Sequence, residues 1–297
     1  MDNYKSKIND VLNSDSPVTK FLFLIIALVI FVAIGRFLLA ILAFIFRPNP
    51  DPWLIWGLID STEERVIRQN PRSSDLDEMP GYANDKNRIT LIRSNNQDLG
   101  EVFSYSMWFY INTLGDSNTL IPVLVKGNFQ IDQNTGLNWP SNGPGIYFGN
   151  PPNSGTRGQD NVLRIVMNSF HKIDEQVVVK DIPMKKWVCL VLRVSQNNVD
   201  VYINGKIKKR LVLDTPVRQN YEDVFINYGN NKWHGHLSNI RYYNYYLNLS
   251  QIKAIFNNGP NLKRSENDAL VKNAPPYLSI RYFFGGQGDM YNPGDAN

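Results

Sequence analysis

A single cysteine, Cys189, among 297 residues excludes an intrachain disulfide and any Cys-x-x-Cys metal knuckle. A domain without disulfides fits a reducing compartment. Histidine is almost as scarce, at three residues, and only His234-Gly235-His236 can seed a metal site, since alternate residues of a strand face the same way. No acidic pair accompanies it, and two polar residues flanking a structural glycine is the simpler reading. The chain lacks a Gly-x-Ser-x-Gly elbow, a P-loop and a His-Glu-x-x-His run, which removes the hydrolase, phosphate-binding and zinc-protease arrangements those motifs supply. Net charge is also low, at +4, so an anionic partner would meet a local stretch. That stretch is Lys180 to Arg218, with nine Lys or Arg against three Asp, whereas Asp60 to Glu78 holds six acids against three Arg. Without a recognition motif, nucleic acid is set aside as a partner.

What the chain does have is one long apolar run. Phe21 to Gly35 is fifteen apolar or small residues, Arg36 interrupts, and Phe37 to Phe46 adds ten more. As a helix, residues 21–46 rise about 39 Å, more than the roughly 30 Å hydrocarbon core of a bilayer. A secretory signal has a shorter apolar core, and twenty residues of mixed charge come first, so the run reads as an uncleaved membrane anchor. Arg36 fits three placements: at the head groups beyond a span of about Val18 to Gly35, snorkelling from a long tilted helix, or facing a specific partner. Orientation stays open, because Lys5, Lys7 and Lys20 on one side hardly outweigh Arg47 and Arg65 on the other.

After this anchor, "RPNPDPWLIWG" carries three prolines in five positions, which reads as a stiff stalk with Trp53 and Trp56 as membrane-interface aromatics. Ser61 to Gln69 suggests a short helix capped by Ser61. Residues 70–86 read as linker, so 47–86 is assigned to stalk and linker together. From Asn87 the texture becomes short strands: 89–93, 102–111, 120–126, 145–149, 162–168, 176–181, 187–195, 199–204, 206–213, 223–228 and 236–243. With 15 Tyr and 15 Phe and no long helix among these strands, the class is all-β, a two-sheet antiparallel jelly-roll sandwich. Phe103, Tyr105, Met107, Phe109 and Ile111 alternate onto one face, as do Val199, Val201 and Ile203. One helix follows, with Asn248 as N-cap, Gln251 completing a capping box, Ile252, Ile255 and Phe256 as its apolar face and Gly259-Pro260 as its stop. In the tail, 261–297, Tyr277 to Phe284 can complete this sheet or add a strand to a neighbour.

Three stretches carry a family likeness: "FSYSMWFYI" at 103–111, "KWVCLVLRVSQNNVDVYINGKIKKR" at 186–210 and "WHGHLSNIRYYNYYLNLSQIKAIFNNGP" at 233–260. They resemble the concanavalin A-like lectin/glucanase superfamily in its laminin-G-like form, over residues 87–260. The resemblance implies a jelly roll and leaves function open, because that fold hosts sugar binders, glycosidases and inert modules. The layout of residues 1–20, a span at 21–46, a stalk, a disulfide-free jelly roll and a Gly/Asn-rich tail is similar to membrane-anchored minor capsid proteins of large icosahedral DNA viruses.

Glucanases of this fold use a Glu-x-Asp-x-Glu strand or a near variant. The nearest string here, Glu266-Asn267-Asp268, lacks the second Glu, so the chain is read as not an enzyme, with no cofactor. Calcium stays as a minor option at loop residues Asp132 and Asn134, or Asp160 and Asn161, without a diagnostic spacing. Alternation sends Lys206, Lys208 and Arg210 to one face and Ile207, Lys209 and Leu211 to the other. These four basic residues fit either a solvated strand or an electrostatic contact with phospholipid or an acidic protein. Trp139, Tyr245 and Tyr246 are the candidates for stacking on sugars, against a core role for the tyrosines. The sequon Asn248-Leu249-Ser250 would be glycosylated only in a secretory lumen. The expectation is a membrane-anchored, non-enzymatic structural protein that links a bilayer to a coat or capsid protein, held by Phe21, Arg36, Phe46, Trp53 and Trp56. The alternative is a membrane-anchored lectin.

Overall fold

A run that is apolar on every side forms its backbone hydrogen bonds internally and offers no polar face to water. In the computed structural model, which describes residues 16–45, 51–67, 91, 101–114, 119–151 and 161–265, this run is helix α1, Pro17–Ile45, 29 residues long. At about 1.5 Å per residue it extends about 43 Å, and it is long and apolar enough to cross a membrane. It continues through Arg36 without a break. Phe46 lies outside the described residues.

The second unit holds the strands, all paired antiparallel. The first sheet has the order β1 (Trp53–Asp60), β12 (His234–Tyr243), β3 (Val102–Thr113), β8 (Trp187–Ser195), β9 (Asn198–Ile203), β10 (Lys206–Val212). The second has β2 (Arg65–Ile67), β11 (Val224–Ile226), β4 (Ile121–Lys126), β5 (Gly145–Phe148), β6 (Leu163–Met167), β7 (Glu175–Val179). Between them lies the main core, to which β3 contributes the alternating set Phe103, Tyr105, Met107, Phe109 and Ile111 and β9 contributes Val199 and Val201. The opposite face of the first sheet carries Trp108, Cys189, Val191 and Tyr202, covered by helix α2 (Leu249–Asn258) through Ile252 and Ile255. The capping box is formed as expected: Asn248 accepts from the Gln251 amide, and the Gln251 side chain accepts from the Asn248 amide.

Two expectations fail before residue 87. The segment assigned to a stalk supplies β1 and β2, which extends the sandwich from residue 87 back to Trp53. The expected helix is absent over its described part, residues 61–67: Ser61 is buried in the turn between β1 and β2, donating to the Trp233 carbonyl and accepting from the Gly235 amide. The hydroxyl that suggested a helix cap thus closes a sheet-to-sheet crossing. Strand candidate 89–93, apart from Leu91, and the piece Tyr277 to Phe284 lie outside the described residues.

The registers place every connection at one of two ends. The loops 127–144, 168–174 and 213–223, the turn at 196–197 and the start of β1 share one end. The Asn204-Gly205 hairpin turn sits at the other, with φ of 51° and 74° that suit Asn and Gly.

Candidate functional site

At the first end, three loops interlock through side-chain amides. Asn168 Nδ2 donates to the Pro140 carbonyl at 2.6 Å, and Asn168 Oδ1 accepts from the Asn142 amide at 3.0 Å. Asn220 Nδ2 donates to Ser141 Oγ at 2.7 Å, and the Phe170 amide donates to the Pro216 carbonyl at 3.2 Å. Beneath them Asn138 accepts from the Gln130 amide and donates to the Ser141 carbonyl, while the Tyr147 hydroxyl donates to Asn142 Oδ1 at 2.6 Å. Leu137 pins the longest loop to the outer face of the second sheet against Val125, Tyr147 and Val166. Lys126 is buried below, donating to the Glu222 carbonyl at 2.7 Å, and burial pushes its amine down to about 8. On this rigid base stand three exposed aromatics: Trp139 at 50%, Phe170 at 70% and Tyr221 at 59% exposure. Sequence reasoning found Trp139 and missed the other two, because loop aromatics carry no periodicity.

The basic candidates behave differently from one another. A register shift between Ile207 and Lys209 breaks the simple alternation. Ile207 opposite Tyr202 and Arg210 opposite Asp200 share the outer face, whereas Lys206 and Lys209 oppose Ile203 and Val201 on the other. The expected grouping of Lys206, Lys208 and Arg210 on one face is therefore corrected: a bulge at Lys208 adds one residue and inverts the facing of every later residue in the strand. Arg210 is committed to Asp200, with Nε 2.5 Å from Oδ1 and Nη2 2.9 Å from Oδ2. Lys206, Lys208 and Lys209 are exposed on an edge strand and make no ion pair among the described residues.

Asp200 centres a buried network that sequence reasoning missed. Its Oδ2 also accepts from Arg193 Nη2 at 2.9 Å and from the Tyr246 hydroxyl at 3.1 Å. Arg193 lies between the Tyr202 and Tyr246 rings, 4.6 and 4.0 Å from their centroids, and donates to the Leu247 carbonyl at 2.8 Å. The two-residue turn at 196–197 sets Arg193 opposite Asp200, a pairing legible in the hairpin spacing. Burial raises the Asp200 carboxyl, and hydrogen bonds from Arg210, Arg193 and Tyr246 outweigh it, holding the group below the ordinary range.

Tyr245 and Tyr246 both make contacts within the fold, and Tyr246 stays exposed. Tyr246 is spent on Arg193 and Asp200, and Tyr245 donates to Asp51 Oδ2 at 3.2 Å and packs edge-on against Tyr243. Trp53 and Trp56, expected as interface aromatics on a stalk, are set into β1: Trp53 lies 4.6 Å beneath the Arg241 guanidinium and Trp56 packs on the main core. Of the calcium candidates, Asp132 accepts from the amides of Asn134 and Thr135 and from the Thr135 hydroxyl, an arrangement that closes its own turn. Asp160 and the Glu266 string lie outside the described residues. His236 faces Asp60 at 3.6 Å, and among the described residues no three His, Cys, Asp or Glu side chains converge.

The sequence profile described as the concanavalin A-like lectin/glucanases superfamily, in its laminin G form, matches residues 84–253. The chain belongs to the concanavalin A-like lectin/glucanases superfamily. Among solved structures, the receptor binding domain of botulinum neurotoxin C/D mosaic serotype is similar with a TM-score of 0.39 and 16% identity, over 54% of this chain and 37% of that one. The type G receptor binding domain gives 0.39 and 12%, over 55% and 41%. The serotype D ligand binding domain in complex with N-acetylneuraminic acid gives 0.39 and 15%, over 56% and 38%. The chain thus spans about two fifths of the length of each neighbour. No curated protein sequence matches it. Membership in the superfamily accounts for the fold, and the function rests on what this jelly roll presents.

Proposed function

We propose that this superfamily member is a membrane-anchored, non-enzymatic attachment protein that joins a bilayer to a protein shell. The observation that carries the reading is α1, a 29-residue helix whose only charged residues are Lys20 and Arg36, followed after only seven residues, 46–52, by the first strand of the jelly roll. The helix fixes the chain in lipid, and Lys206, Lys208 and Lys209 offer an acidic coat or capsid protein a charged edge. Because β10 is lysine-rich and bulged, it resists pairing with a foreign strand, so contact there runs through side chains. A single N-terminal span ahead of a disulfide-free jelly roll, the part of the layout that stands without the stalk, is similar to membrane-anchored minor capsid proteins and supports a virion with an internal membrane as the setting.

Deleting residues 21–46 tests the anchor: the protein is expected to leave the membrane fraction and lose its place in the assembled particle. Lys206→Glu with Lys208→Glu and Lys209→Glu tests the docking edge, and is expected to release the partner while the anchor holds. Retention of the partner by this triple variant would sink the edge assignment. A second reading, glycan binding, retains one favourable observation, the half-exposed Trp139 on its rigid loop. It predicts that Trp139→Ala abolishes binding on a glycan array.

A further inference from the structure

The chain reaches the sandwich at Trp53, and the start of β1 lies at the same end as the loops bearing Trp139, Phe170 and Tyr221. The connecting segment 46–52 can span at most about 24 Å when fully extended. We infer that this aromatic loop end rests on the bilayer in which α1 is anchored, with the three rings in the head-group layer. The inference depends on the membrane-anchor reading above.

Three observations converge on lipid as the occupant. The residues are one Trp, one Phe and one Tyr, the types that settle at a membrane interface because their rings are apolar while the indole and phenol keep a polar tip. Each stands within two residues of a hydrogen bond that ties its loop to another: Trp139 beside Pro140, Phe170 two residues past Asn168, and Tyr221 beside Asn220. Rings exposed by 50 to 70% on loops held this firmly lose little further freedom on contact. Finally, the lysine edge has its hairpin turn at the opposite end, so a domain resting on its loops turns that turn away from the lipid. Such an arrangement lets one domain meet a bilayer and a shell at the same time.

The test uses the full chain in phosphatidylcholine–phosphatidylserine vesicles, with nitroxide labels at Phe170→Cys, Tyr221→Cys and, as a control, Lys208→Cys. Cys189 is buried, with its thiol pushed up to about 12, so it takes no label in the folded chain. Collision with oxygen relative to a water-soluble nickel reagent is expected to be severalfold higher at 170 and 221 than at 208. Equal, water-like values at all three sites in a chain that resists carbonate extraction would overturn the contact and leave the anchor standing. Release into the carbonate wash would remove the anchor reading, and the inference with it. Water-like values together with loss of glycan-array binding by Trp139→Ala would reassign the loop end to sugar.

Discussion

Asp200→Ala should be among the most damaging single changes in the jelly roll. Asp200 is fully buried and Arg193 is 5% exposed, and their 2.9 Å contact supplies the only carboxylate that Arg193 meets among the described residues. Removing it leaves a guanidinium under the Tyr202 and Tyr246 rings with the Leu247 carbonyl as its remaining acceptor outside those tyrosines. Breaking a buried pair by removing one partner costs about 3–5 kcal/mol. For a domain of this size each kcal/mol lowers the melting temperature by about 2–4 °C, so a fall of about 6–20 °C is expected in thermal melts followed by circular dichroism. Arg210 is different, since its side chain is 52% exposed. Arg210→Ala should cost far less than Asp200→Ala, because solvent screens an exposed partner. The Asp200 carboxyl is held below its ordinary value, so its contribution is present above the unfolded pKa of about 3.9 and is lost as pH falls through the folded one. Acidification below about pH 4 should therefore narrow the gap between wild type and Asp200→Ala. A cost under about 1 kcal/mol for Asp200→Ala, or equal costs for Asp200→Ala and Arg210→Ala, would refute the reasoning.

Other expectations are as direct. A Cβ at Gly235 would overlap the Tyr110 carbonyl oxygen and the Trp233 ring, so Gly235→Ala should cost more than about 2 kcal/mol in urea denaturation, as backbone must shift at the β12–β3 pairing. Asn138→Ala removes the acceptor for the Gln130 amide and the donor to the Ser141 carbonyl. It should cost about 1–3 kcal/mol and raise amide hydrogen exchange across 128–142 without loosening β8 and β9. Cys189, buried with its thiol at about 12, should be inert to thiol reagents at neutral pH and react in urea at the rate of global unfolding.

The strands from Val102 onward and α2 were legible because their signals are local. Alternation onto one face gave β3 and β9, Asn-Gly marked the β9–β10 turn, and the Asn248–Gln251 capping box marked the helix start. Strand β1 was missed for a physical reason. Its pairing with β12 carries two register shifts, and Gly57, at φ 106°, packs its backbone against the Lys263 carbonyl, so "WLIWGLID" shows no period of two although its Trp and Ile suit a strand. The preceding prolines then favoured a stalk. Arg210 was misread as free charge because its partner is decided by the strand register, and the bulge at Lys208 cannot be seen in the residue types. Phe170 and Tyr221 meet Trp139's end of the molecule only through the folded loops, which no sequence pattern foretells.

The central claim is attachment of this jelly roll to a neighbouring protein at a membrane, and cross-linking mass spectrometry on the native membrane-bound source tests it most directly, with lysines as reporters. Repeated links from Lys206, Lys208 and Lys209 to one abundant coat or capsid protein, in fixed proportion, are expected. Links scattered over unrelated glycoproteins, or none from these three lysines, would contradict it.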